Sequence, residues 1–166
     1  MNDSVQRHIA SALAAVEKYL AVKESKDTVP KEYDGYAASF TASVVTSGLL
    51  PTLSFFTDIH KSDKDKDKDK DKDKDKDKDK EPRRYRITQA LMHILHPIEG
   101  KHAKNKLLLY AVGRLYGDGS ENAGRRLDNM DEAKLPVLQR EIIDAAIALK
   151  LALRNFKQQA TAGQKD

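Results

Sequence analysis

The sequence predicts an all-α protein: one compact domain over residues 1–166, a bundle of five or six helices carrying a disordered Asp-Lys insertion at 63–80. Three features carry that expectation. Apolar residues recur at steps of three and four in six separate stretches, which lines them up along one helix face. No stretch sustains apolar alternation, so no strand is expected outside the repeat. Pro and Gly fall mostly between the stretches, where they start and stop helices.

The first helix is expected at about 4–24. Asn2, Asp3 and Ser4 are capping residues, and Val5, Ile9, Ala12, Leu13, Val16 and Leu20 follow on one face. Thr28 and Pro30 give the next start signal, because Pro in a first turn loses only an amide that has no helical partner. Tyr33, Tyr36, Ala37, Phe40 and Val44 continue the stripe to Ser47-Gly48. Gly48 can adopt the left-handed conformation that closes a helix and Pro51 can open another, so Gly48-Leu49-Leu50-Pro51 reads as a tight turn. A short third helix carries Leu50, Leu53, Phe55 and Phe56 to about Lys61.

Beyond the repeat, Ile87, Ala90, Leu91, Ile94 and Leu95 define a fourth helix that Pro97 and Gly100 stop. Leu107, Leu108, Ala111, Val112 and Leu115 define a fifth, ending at Gly117-Asp118-Gly119-Ser120. The last stripe is the clearest: Leu135, Leu138, Ile142, Ala145, Ala146, Leu149, Leu153 and Phe156. Asp131 resembles its cap, but Pro136 would then lie too far inside, which moves the start toward Leu135.

Composition removes several classes of function. With no cysteine the chain can hold no disulfide, thiolate zinc site or iron–sulfur cluster and has no thiol nucleophile, which suits a reducing cytoplasm. No apolar run approaches the roughly 18 residues of a membrane span. Asp3, Arg7, His8, Glu17 and Lys18 break the first twenty residues, unlike a secretory signal, so a cytoplasmic protein with no membrane partner is expected.

The nine Asp-Lys pairs of 63–80 would place like charges at i and i+4 in a helix, and in a strand they would bury nothing apolar. Such a segment cannot offset its ordering entropy and is expected to be an expanded, solvated loop. Calcium chelation is a poor fit, since each Asp is flanked by Lys and no turn glycine gathers the oxygens.

His93, His96, Glu99 and His102 invite a metal reading. Their i, i+3 spacing and the interrupting Pro97 disfavour it, and solvated or core-edge histidines are expected, with no cofactor and no metal. No serine elbow or phosphate loop is present, and acidic groups such as Asp128, Asp131 and Glu132 suit a helix start, so no enzyme is expected. Basic clusters are better candidates. Residues 81–166 carry fifteen basic and ten acidic side chains, against six and seven in residues 1–62. Lys150, Arg154 and Lys157 at i, i+4, i+7 would form one stripe of the last helix, and Lys106, Tyr110 and Arg114 another with an aromatic between cations. Arg83, Arg84 and Arg86 open the fourth helix, Arg125 and Arg126 lie in a loop, and Lys101 and Lys104 lie upstream of that loop. Solvated helix faces can look the same.

The segments Glu32-Tyr33, Tyr36-Ala37, Val44-Val45-Thr46-Ser47-Gly48-Leu49 and Leu53-Ser54-Phe55-Phe56 with Lys61 resemble the small helical subunit of type III-B CRISPR effector (Cmr) complexes. In that family a Tyr-containing helix runs into a Gly-Leu turn, and the next short helix ends in an apolar-aromatic pair and a Lys. Met130, Leu135, Leu138, Glu141, Leu149, Leu151 and Arg154 are similar to its long final helix. The chain departs from the pattern in having no tryptophan there, in Pro51, and in the Asp-Lys run.

The resemblance implies a non-catalytic subunit of an antiviral ribonucleoprotein, stacked in several copies along crRNA and target RNA beside other effector subunits. The residues expected to meet phosphate, without base specificity, are Lys61, Lys101, Lys104, Arg114, Arg125, Arg126, Lys150, Arg154 and Lys157. The alternative is a helical protein-interaction or oligomerisation module without RNA contact.

Overall fold

The computed structural model describes residues 3–57, 83–97, 103–117 and 130–159. The Asp-Lys repeat and Lys61 lie outside the described residues. Helix α1, Asp3–Ala15, buries Val5, Ala12 and Ala15. Its hydrogen bonding then widens by one residue over Val16–Leu20, where the Ala21 amide donates to the Val16 carbonyl at 2.8 Å. The widened turn directs Val16, Tyr19 and Leu20 inward.

The helical course ends at Leu20, short of the expected residue 24. Lys23 to Asp27 offer nothing apolar to bury, and the chain folds back instead: the Val22 amide donates to Thr28 at 2.9 Å and the Thr28 amide to Ser25 at 3.1 Å. Thr28–Pro30 do not start a helix. They form strand β1, paired in parallel with β2, Lys157–Gln159, and Val29 is buried. This corrects the expectation of no strands. Each strand has three residues, too few for alternation to show, and the pairing joins segments far apart in sequence. Pro30 has no amide to give, and the Lys31 amide donates to Gln159 at 3.0 Å.

Helix α2, Glu32–Ser47, buries Tyr33, Ala37, Phe40 and Val44, all on the expected stripe. Gly48 ends it at φ +88°, with its amide on the Val44 carbonyl at 3.2 Å. Helix α3, Leu49–Thr57, has Pro51 in its first turn and buries Leu49, Leu53 and Phe56. The buried Thr52 and Thr57 hydroxyls donate to the Gly48 and Leu53 carbonyls at 2.8 and 2.6 Å, so neither is left unsatisfied. A Cβ at Gly48 would meet only Pro51 at 3.9 Å, so the penalty of a side chain there is backbone strain rather than collision. Gly48→Ala is expected to destabilise the fold by about 1–3 kcal/mol, read by denaturant unfolding.

Helix α4, Tyr85–Leu95, is the most enclosed, with Ile87, Thr88, Ala90, Leu91, Met92, His93 and Ile94 all buried. Helix α5, Lys106–Tyr116, buries Leu107, Ala111 and Leu115 and stops at Gly117, φ +80°. Helix α6, Lys134–Leu153, keeps Pro136 in its first turn, one residue earlier than the expected start. Its buried alanines 145, 146, 148 and 152 let α1 and α2 approach closely. The helix ends at Leu153 rather than Phe156: Asn155 turns its side-chain amide onto the Leu151 carbonyl at 3.2 Å, and the chain enters β2. Phe156 still packs against the core, from beyond the helix.

Candidate nucleic-acid interface

One cluster of positive charge among the described residues lies at the start of α4. Arg83, Arg84 and Arg86 occupy its opening turn, which contains no acidic residue, so the helix's own positive end adds to theirs. The Arg84 guanidinium lies 4.5 Å from the centre of the Phe55 ring at the far end of α3. The Lys104 ammonium, just ahead of α5, lies 4.6 Å over the Tyr85 ring. The Thr88 hydroxyl, whose single proton can be shared between the carbonyls of Tyr85 at 2.7 Å and Lys104 at 3.2 Å, holds that approach. Three separate segments thus meet in a cation-aromatic pole, and Phe55 is 58% exposed within it. Sequence alone identifies the arginine triplet; that Lys104 and Phe55 join it depends on how α3 and α5 pack on α4.

Beneath the pole, the Tyr33 phenol receives the Arg83 amide at 3.4 Å. Burial raises its pKa above the ordinary value, against the opposing pull of the Arg86 charge. A raised folded pKa favours the protonated phenol, so this contribution to stability is whole below the unfolded value near 10 and is lost as pH climbs from there through the folded one. Tyr33→Phe is expected to remove one late-titrating phenol from the ultraviolet titration and to blunt the alkaline loss of stability.

The other expected phosphate contacts fall in different places. Lys101, Arg125 and Arg126, like Lys61, lie outside the described residues. Arg114 is exposed and engaged at the surface: its guanidinium bonds the Tyr110 hydroxyl and lies 3.5 Å from Glu141, whose other oxygen is 3.3 Å from the same hydroxyl. Tyr110 is half-buried with His96 edge-on at 5.0 Å, so it is not the open stacking ring its spacing suggests. Burial first, then the Glu141 charge, raises its pKa. Lys150 and Arg154 lie along one edge of a groove of about 610 Å3 between α2 and α6, with Val45 and Ile147 in its lining. Lys157 does not continue that stripe. The helix ends before it, and Lys157 begins β2.

His93 is buried against the Tyr19 ring at 5.7 Å, whereas His96 is exposed beside Tyr110, so the two imidazoles have different neighbours. Glu99 and His102 lie outside the described residues, among which no group of three metal-ligating side chains occurs. No helix among the described residues is long and apolar enough to cross a membrane.

The family model described as CRISPR-associated protein (Cas_Cmr5) aligns with residues 5–152. No curated protein and no solved structure matches the chain.

Proposed function

The chain belongs to the CRISPR-associated Cas_Cmr5 family, small subunits of the type III-B complex, and from that premise we propose that it is a structural, non-catalytic subunit that lines RNA. Membership makes it a Cmr-type subunit whose partners include other subunits of the effector complex. The further step, contact with crRNA and target RNA in antiviral defence, rests on one observation above all: the cation-aromatic pole of Arg83, Arg84, Arg86, Lys104, Tyr85 and Phe55. Guanidinium and ammonium groups beside the exposed Phe55 and the half-buried Tyr85 suit phosphate and unpaired bases, and they read no sequence. In this reading the surface holds RNA while other subunits carry out cleavage. A few contacts per copy are weak alone and become strong when several copies line one strand.

The test is recovery from the native host. The tagged chain, pulled down at moderate salt, is expected to bring effector subunits and a discrete guide-length RNA. The Arg84→Glu, Lys104→Glu variant should bring the subunits with less RNA. Recovery of subunits without RNA, from the unaltered chain, would overturn the RNA reading in favour of a protein-interaction module.

A further inference from the structure

We infer that the groove between α2 and α6 is a docking site for a partner protein's acidic amphipathic helix, and that Lys150 and Arg154 meet carboxylates there instead of phosphates. The lining is the first reason. Val45 is 66% and Ile147 38% exposed, so two branched apolar side chains face solvent beside each other's helices in a groove of about 610 Å3. The α2 wall is less polar than its composition suggests. Thr41 donates its hydroxyl to the Ala37 carbonyl at 3.2 Å and Thr46 to the Ala42 carbonyl at 3.0 Å, so both hydroxyl donors are already satisfied. A phosphate entering such a groove would give up water for apolar surface, whereas a leucine or isoleucine side chain would gain by it.

Shape and charge select the occupant further. The α2 lining runs from Ala38 to Thr46, about 12 Å at the rise of a helix, which matches two turns of a docked helix anchored at i, i+3 or i+4, and i+7. Ala38 and Ala42 keep that wall low, so the guest backbone can come close. Among the described residues, the charged members of the lining are Lys150 and Arg154, one turn apart on the α6 side, and the lining includes no carboxylate. Their complement is a pair of Asp or Glu residues one turn apart on the flank of the guest helix. This separates the cations into two surfaces with different partners: phosphate at the pole of α4, carboxylate at the α6 wall. The assignment does not depend on the RNA reading.

The experiment places a photo-cross-linking amino acid at position 45 of the full chain, expressed in its native host with the effector assembly. The expected adduct joins a helical segment of another subunit that has apolar residues at helical spacing and carboxylates one turn apart. Lys150→Glu with Arg154→Glu should lower recovery of that subunit at least tenfold at low salt, and Lys replacing the mapped carboxylates should restore it. Val45→Glu with Ile147→Glu, both at exposed positions, should abolish the adduct of a cross-linker moved to position 42 while leaving the helical circular dichroism unchanged. An adduct to RNA, an adduct to a second copy of this chain, or no protein adduct overturns the inference. RNA recovery followed in the same preparations reports separately on the pole of α4.

Discussion

Phe40→Ala is expected to cost about 3–5 kcal/mol and to lower the melting temperature by roughly 10 °C. Phe40 is fully buried on α2 and meets the Phe56 ring edge-on, with centroids 5.1 Å apart and planes at 85°. The pair joins α2 to α3 across the Gly48 turn, so truncating one ring opens a cavity at a joint that neither helix can close alone. Phe55→Ala is the control. It removes an identical side chain from the position before Phe56, but that ring is 58% exposed under Arg84, and the loss should stay below about 1 kcal/mol. Equal losses from the two substitutions, measured by thermal unfolding, would contradict the packing at this joint.

Reversing Arg84 and Lys104 together is expected to weaken RNA binding by the assembled complex about tenfold near 0.15 M salt, and to flatten the dependence of log affinity on log salt by about 1.4, the slope of two lost contacts to a single strand. Both side chains are exposed, so the fold should be unaffected. The slope is the more telling quantity. A loss of affinity with an unchanged slope would mean that the pole had been distorted without any phosphate contact being removed, and an unchanged affinity would remove the pole from the RNA surface.

What the sequence made legible was the inward face of each helix, because helical periodicity is a local property. Tyr33, Ala37, Phe40 and Val44 are buried as their spacing requires, and Gly48 takes the positive φ that its place in the turn demands. Family membership was legible from the same apolar stripes and the Gly-Leu turn. Features set by distant partners were hidden. Thr28–Pro30 reads as a helix start because Pro30 suits one, and only the arrival of residues 157–159 makes it a strand. The stripe Lys150, Arg154, Lys157 assumes a helix that continues, while the side chain of Asn155 ends it. Arg114 reads in the sequence as a lone cation, and only tertiary packing brings Glu141, from another helix, beside it. The sites followed the same rule: each basic residue could be named, but the company it keeps is decided by tertiary packing.

The parallel pairing of β1 with β2 also bears on the order in which this protein can be made. As the chain leaves the ribosome, Thr28–Pro30 appears early, and the strand it needs appears only after α6. Helix α1 waits in the same way, since its largest contact is with α6. The nascent chain therefore holds α1 and β1 without their principal partners until α6 and β2 have been made, then closes both contacts together. Anything that lengthens the middle of the chain prolongs that wait in time but adds little in free energy, only about 0.6 kcal/mol for each doubling of the loop to be closed. The Asp-Lys run is an addition of this kind, and with no apolar residue among its eighteen it gives the waiting helices nothing to stick to.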